Sequence, residues 1–389
     1  MKNPSHISKQ FKDMVTGRVD GRNLAYCLQC ATCNTCCPVR SLDKSFNPKE
    51  MVHRVLLAEE NYFSQHPEIP YYCLLCKLCQ EVCPLGLKVD EMILAIRGQL
   101  VAEKVGPLPQ HQKVIADQEW VTSDSFALTL PDLDTGKCER FFFPGCTLSA
   151  RSPELVMMTL TYLQENLPGT GIILGCCGAP SNDIGNQKRF LEIIDGITAS
   201  MSKFGASELV IACPECYHTF KHNAPDITLR SVYEIMVERG VPKVDRASGD
   251  KTFAIHDSCK TRYESEIQDA IRILVRELGY RIEEMENSRD LTRCCGMGGM
   301  VPFVNLKLWN AISRRRASET PHDIITYCSA CQESLGFTGK PTVHILDLFF
   351  NPNGKGSKPG IPLSKSARQE NQSRLKSQLT AMNSKVLGH

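Results

Sequence analysis

Twenty cysteines in a chain of 389 residues are the first chemical signal. A thiolate is both a soft metal ligand and a redox group. Ten of the cysteines form two copies of one arrangement. The first is Cys146, then Cys176–Cys177 followed by Gly178, then Cys213-x-x-Cys216. The second is Cys259, then Cys294–Cys295 followed by Gly296, then Cys328-x-x-Cys331. The offsets between copies are 113, 118 and 115 residues, taken at Cys146/Cys259, Cys176/Cys294 and Cys213/Cys328. Near-constant offsets mark an internal duplication, and two copies suggest a pseudo-two-fold pair of domains rather than a solenoid. On an extended strand, adjacent side chains point to opposite faces, so a cysteine pair can serve one site only from a turn. The glycine after each pair can adopt positive φ and let the backbone come close. Each set has five thiols, whereas a cubane cluster takes four. The fifth is spare, bridges two irons, or belongs to a cluster of another shape.

Eight more cysteines lie near the start. "CLQCATCNTCCP" supplies Cys27, Cys30, Cys33 and Cys37, with Cys36 extra and Pro38 following. "CLLCKLCQEVCP" supplies Cys73, Cys76, Cys79 and Cys83, followed by Pro84. Both read C-x2-C-x2-C-x3-C-P, the run that holds 4Fe–4S cubes in bacterial ferredoxins. Three thiolates at two-residue spacing wrap one cube, and the fourth reaches the other. Cys27, Cys30, Cys33 and Cys83 are therefore expected at one cube, and Cys73, Cys76, Cys79 and Cys37 at the other. Structural zinc usually takes two C-x-x-C pairs separated by a longer loop, which this spacing does not offer. Cys36, crowded beside Cys37, and Cys138, which precedes the strand-like "FFFPGC", read as buried spare thiols.

The elements that must position these residues change along the chain. Residues 1–23 read as a polar arm. Residues 24–103 read as an α-helical domain: "PKEMVHRVLLAEEN" puts Met51, Val52, Val55 and Leu56 on one stripe, and "VDEMILAIRGQLVAEK" does so with Val89, Met92, Ile93, Ile96 and Leu100. Residues 104–140, with "GPLPQ" and "LPDLDTG", read as a linker. Over 141–245 and again over 246–350, short apolar runs alternate with helical patterns. That alternation predicts two α/β domains with parallel strands. Several cysteines fall at the carboxyl ends of predicted strands, where ligand sites of open α/β sheets gather. Residues 351–389 form a basic tail, with seven Lys/Arg against Glu370. Its composition predicts disorder, or a docking segment for a partner or an anionic membrane surface. Arg314, Arg315 and Arg316 read as a solvated helical face.

Hydrophobic residues make up 42% and charged residues 23%, ordinary for a globular chain, and a net charge of +2 gives no reason to invoke nucleic acid. The start has no apolar signal region, and no apolar run approaches the ~20 residues of a membrane span. A cytoplasmic location is expected, where clustered cysteines bind metal or do redox chemistry rather than form a disulfide scaffold. His256 and Asp257, just before Cys259, could deliver a proton, or His256 could simply hydrogen-bond the loop. His218, after the first Cys-x-x-Cys, reads as structural. No P-loop, G-x-G-x-x-G, H-E-x-x-H or G-x-S-x-G stands in a suitable context, so flavin or nicotinamide is expected on a partner.

The C…CCG…C-x-x-C pattern, given twice after a ferredoxin-type pair, resembles the iron–sulfur subunits of heterodisulfide reductases over roughly residues 24–331. The resemblance implies an α-helical ferredoxin domain followed by two duplicated α/β CCG domains. It implies two cubane and two noncubane 4Fe–4S clusters. Cys146, Cys176, Cys177, Cys213 and Cys216 would hold one noncubane cluster, and Cys259, Cys294, Cys295, Cys328 and Cys331 the other. It further implies reduction of a small-molecule disulfide to two thiols, with electrons from a flavoprotein partner fed by a hydrogenase or formate dehydrogenase. Similar subunits relay electrons between a glycerol-3-phosphate, glycolate or lactate dehydrogenase and quinone. Two complete cysteine sets favour the disulfide reductase, in the cytoplasm or at the inner face of the membrane.

Overall fold

A computed structural model of the chain describes residues 12–13, 15–17, 24–132, 138–241, 251–351 and 362–387. They form two compact units. The first gathers Met1–Ala116, Pro180–Phe190 and Asp290–Arg316, and the second gathers Asp117–Ala179, Leu191–Arg289 and Ala317–His389. The expected arm, 1–23, lies mostly outside the described residues; positions 12–13 and 15–17 are helical.

The first unit contains no strand among its described residues. Helix Pro48–Leu56 starts where Asn47 Oδ1 accepts the Glu50 N–H at 3.1 Å, with Pro48 in the first turn. It buries Met51, Val52 and Val55. Ala58, at φ 58°, separates it from the short helix Glu60–Gln65. Helix Val89–Ala102 buries Val89, Met92, Ile93, Ile96 and Leu100. Both apolar stripes predicted from the periodicity face the interior, with Leu56 only half-buried.

The second unit holds two sheets. Strands β1 (Leu128–Leu130), β2 (Arg140–Phe143), β3 (Thr170–Leu174), β4 (Glu208–Ile211) and β5 (Thr228–Ser231) lie in the order β1-β3-β2-β4-β5. Strands β6 (Thr252–His256), β7 (Arg281–Glu284), β8 (Asp323–Thr326) and β9 (Thr342–His344) lie in the order β7-β6-β8-β9. All pairings are parallel except β1 with β3. Setting β1 aside, the two orders are the same, so the duplication in the cysteines is also one of topology. The central strands β2, β4, β6 and β8 are short continuous apolar runs, as strands covered on both faces require. In register, Phe142 stands between Ile172 and Val210. One core joins the halves of this unit and includes Phe142, Val210, Tyr233, Ile255, Ile271 and Ile325. Tyr233 OH lies 3.0 Å from the Ala212 carbonyl and 3.1 Å from the Tyr327 carbonyl, tying the ends of β4 and β8 together.

Two segments depart from the sequence reading. The expected linker contains helix Gln112–Thr122 and strand β1, because Val121, Phe126 and Leu130 bury against the core between its turn signals. The tail contains helix Lys365–Leu387 where disorder was expected, although 352–361, its Gly-rich start, lies outside the described residues. Leu375 and Leu379 of this helix are completely buried, and it packs on helices Cys146–Arg151 and Pro153–Asn166. Arg368 and Arg374 pair with Glu333 and Glu154, Lys365 with Asp117, and Lys376 donates to the Ala127 carbonyl at 3.0 Å. These four cations face their own unit instead of an anionic surface. No helix among the described residues is long and apolar enough to cross a membrane.

Candidate metal centres

The two ferredoxin-type runs adopt the same backbone twice. In the first, Gln29 and Ala31 stand at φ 53° and 65°; in the second, Leu75 and Lys77 stand at 51° and 60°. Left-handed conformations cost non-glycine residues roughly 1–2 kcal/mol each and persist where the surroundings impose them. The turns coil each run around its own thiols. Cys27, Cys30, Cys33 and Cys83 line one cavity of about 440 Å³. Cys37, Cys73, Cys76 and Cys79 line another of about 380 Å³, and Cys79 also reaches the first. Main-chain N–H groups point inward: Leu75 N lies 3.4 Å from Cys73 Sγ, and Arg40 N lies 3.4 Å from Cys37 Sγ. Burial pushes the Cys33 thiol up to about 11 and Cys73 up to about 12. Converging thiols with main-chain donors aimed at their sulfurs suit a cationic iron–sulfur core that deprotonates its ligands. Cys30 is exposed, whereas Cys37 and Cys76 are buried, so the first cavity is nearer solvent.

The first five-cysteine set lies wholly in the second unit. Cys146 begins the helix after β2, and Cys213 precedes helix Pro214–Asn223 after β4. Strands β2 and β4 are adjacent and parallel, and β3 lies on the other side of β2. Their carboxyl ends flank the point where strand order reverses, the usual ligand crevice of such sheets. Cys176 and Cys177 follow β3. Gly178, at φ 87°, turns its N–H back onto Cys176 Sγ at 3.3 Å. Thiol–thiol contacts link Cys146 to Cys176, Cys176 to Cys177, Cys177 to Cys216, and Cys216 to Cys213. The hydrogen bonds from Cys176 and Cys216 lower the Cys177 thiol, and the same bonding raises Cys216. A Cβ on Gly145 would fall 2.8 Å from Cys213 Cβ, so only glycine fits there. Gln118 Nε2 donates to Cys176 Sγ at 3.5 Å, and Gln372 Nε2 donates to the Cys146 carbonyl at 3.1 Å.

The second set repeats these local geometries. In the second unit, Cys259 opens a turn of 3-10 helix after β6, and Cys328 precedes helix Ser329–Gly336 after β8, with Cys331 in its first turn. In the first unit, Gly296, at φ 101°, points its N–H at Cys294 Sγ at 3.4 Å, matching Gly178. Ser313 Oγ donates to the Cys295 carbonyl at 2.9 Å. His256 is completely buried at the end of β6. Asp257 is held by Arg272 through Nη1 at 3.0 Å and Nη2 at 2.8 Å, and accepts the Arg289 N–H at 2.8 Å. A carboxylate bound this way anchors the loop that leads to Cys259. His218 stacks on His222 with ring centres 4.2 Å apart. Cys36 Sγ lies 3.4 Å from the Cys33 carbonyl, and Cys138 lies at the opposite end of β2 from Cys146.

Sequence reasoning missed Gln118, Gln372, Arg272 and Arg97. Arg97 and Arg272 left a signal: each is an arginine on the apolar stripe of its helix.

Residues 23–87 match the 4Fe-4S dicluster domain, and residues 141–221 and 253–336 each match the cysteine-rich CCG domain. The chain is thus an iron–sulfur oxidoreductase-type protein that joins a ferredoxin-type domain to a duplicated cysteine-rich domain. It matches both of these domain families, and its relatives include heterodisulfide reductase subunits. One of the fumarate reductase (CoM/CoB) subunits of Methanothermobacter marburgensis is 23% identical, over 85% of this chain and 72% of its own length. One of the dihydromethanophenazine:CoB–CoM heterodisulfide reductase subunits of Methanosarcina barkeri is 23% identical, over 79% of this chain and 87% of its own. The EtfAB:quinone oxidoreductase of Syntrophomonas wolfei is 21% identical, over 81% of this chain and 55% of its own.

Proposed function

We propose that this chain is the iron–sulfur subunit of a heterodisulfide reductase-like complex and that it reduces a small-molecule disulfide to two thiols. The observation that carries this reading is the continuous thiol chain from Cys146 through Cys176, Cys177 and Cys216 to Cys213. It supports five ligands at a noncubane 4Fe–4S cluster, and Cys259, Cys294, Cys295, Cys328 and Cys331 are assigned to a second. Residues 24–103 are assigned an α-helical ferredoxin domain, with one cubane on Cys27, Cys30, Cys33 and Cys83 and one on Cys73, Cys76, Cys79 and Cys37. The two CCG domains are assigned to 141–245 and 246–350. Iron–sulfur clusters supply one electron at a time, and cleavage of a disulfide takes two electrons and two protons, so a duplicated site matches the stoichiometry. His256, buried beside the turn that carries Cys259, is the assigned proton source. The positive-φ glycines at 178 and 296 hold each cysteine pair in a turn. A flavoprotein partner on the cytoplasmic side, fed by a hydrogenase or formate dehydrogenase, completes the electron supply.

A second reading is favoured by the quinone oxidoreductase among the relatives. In it the chain relays electrons between a flavin dehydrogenase and quinone and touches no disulfide. Anaerobic assay of the purified chain with reduced viologen separates the two. The disulfide reading predicts two dye electrons consumed per disulfide cleaved and no reaction with quinone. Quinone reduction without disulfide cleavage would establish the relay instead.

A further inference from the structure

Arg97 sits on the buried stripe of helix Val89–Ala102 between Ile96 and Leu100 and is completely buried. Every hydrogen bond of its guanidinium ends on a main-chain carbonyl. Nε and Nη2 donate to Pro70 O at 3.1 and 2.8 Å, and Nη2 also to Cys73 O at 2.8 Å. Nη1 donates to Asp183 O at 2.6 Å and to Gly299 O at 3.3 Å. The Tyr71 ring lies beside it, 5.0 Å from the guanidinium carbon, and Tyr71 OH donates to Ile184 O at 3.2 Å.

These carbonyls belong to three separate segments of the first unit. Pro70 lies in the turn Ile69–Tyr72 that leads into Cys73, the start of the second ferredoxin-type run. Asp183 comes shortly after Cys176–Cys177, and Gly299 shortly after Cys294–Cys295. Glycines let the loops touch. A Cβ on Gly299 would fall 2.1 Å from Cys73 O, and one on Gly298 would fall 2.2 Å from Leu74 O and 3.5 Å from Cys294 Sγ. One on Gly185 would fall 2.5 Å from Arg97 O. The "GMGG" that follows the second cysteine pair is thereby explained: its last two residues are close-approach positions. An arginine keeps its charge when buried, and here that charge meets carbonyl dipoles.

We propose that Arg97 is a positioning residue that locks the Cys73 loop to the segments following both double cysteines, and that its charge favours the reduced, more negative state of the cluster held by Cys73. The proposal rests on the ligand assignment given under Proposed function. It asks nothing of the acceptor, disulfide or quinone.

The test is redox-titrated EPR and iron analysis of the full chain, purified anaerobically, as wild type and as Arg97→Met, Arg97→Lys and Gly298→Ala. The signal of the Cys73 cluster is identified by its loss in Cys73→Ser. At the wild-type midpoint, Arg97→Met should lower the reduced-to-oxidised ratio of that cluster about tenfold or more, as expected for removing a unit charge from a poorly solvated site. The Cys27 cluster should not move. Arg97→Lys should restore most of the ratio, but one ammonium cannot bridge three loops, so magnetic coupling between the Cys73 and Cys294 clusters should stay weakened. Gly298→Ala should weaken that coupling with the ratio unchanged. An unmoved ratio in Arg97→Met, or equal shifts of both cubanes, would overturn the proposal. If Arg97→Met does not fold, Arg97→Lys with wild-type coupling would overturn it. A wild type without iron on the Cys73 run would remove the ligand assignment as well, whereas a fully loaded wild type with indifferent Arg97 variants removes the Arg97 role alone.

Discussion

The two halves of the duplicated region carry their cysteines on one strand order but finish their sites differently. In the first half, Cys176 comes two residues after β3, a strand buried along its whole length and flanked by the added strand β1. In the second half, Cys294 comes ten residues after β7, an edge strand with three of its four residues exposed. The first set is overlaid by later chain, with the Lys365–Leu387 helix bonding the Cys146 carbonyl through Gln372. The second half relies on a buried ion pair: Arg272, 2% exposed on its side chain, grips Asp257 next to His256 and also reaches Glu284. Duplication thus preserved the ligand-bearing turns, while flanking elements diverged. The positions that must be alike are those touching sulfur: Gly178 and Gly296 point their N–H groups alike, and Cys213 and Cys328 both precede a helix.

The largest effect should come from the thiols. Cys177→Ala and Cys294→Ala should each remove about four irons per chain and leave the ferredoxin-type clusters in place. Iron analysis with low-temperature EPR checks this; loss of both special signals from either variant would mean the halves do not load independently. Next is Arg272→Met, which strands the Asp257 carboxylate in the interior of the second half. Breaking a buried pair this way costs about 3–5 kcal/mol, readable in denaturant unfolding. Leu375→Ala cuts a buried side chain from the overlying helix and should cost about 2–5 kcal/mol. Its spectroscopic change should be confined to the Cys146 set, so an altered Cys294 signal would break the comparison. The smallest effect is pH-linked. Burial, then Arg151, push His344 down to about 3, so the folded state holds it neutral. Its stability contribution is complete above the ordinary histidine value near 6.5 and declines as pH falls below that toward 3. Thermal unfolding of wild type should worsen from pH 7.5 to 5.5 more than that of His344→Asn, which keeps an acceptor for the Leu346 N–H.

Much of this was legible in the sequence because the signals are local. Tight cysteine spacing dictates a wrapped loop, and short apolar runs alternating with helical patterns dictate parallel strands, so the α/β character of both halves was foreseen. The missing pieces depend on contacts distant in sequence. Strands β5 and β9 are short edges, "TLRS" and "TVH", with too few apolar residues to stand out. The tail helix was hidden by its polar composition. Its period was nevertheless readable, since Arg368, Gln372, Leu375 and Leu379 recur at intervals of four, three and four. The assignment of Pro180–Phe190 and Asp290–Arg316 to the first unit was not readable, because no local pattern announces which body a loop will join.

The most direct test of the central claim is anaerobic iron analysis with EPR during oxidative titration by candidate disulfides and their thiols. The account predicts about sixteen irons per chain, from four four-iron sites, and a paramagnetic signal that appears only when thiol is present and is lost in Cys294→Ala or Cys177→Ala. About eight to twelve irons, with no spectral response to any thiol, would contradict it.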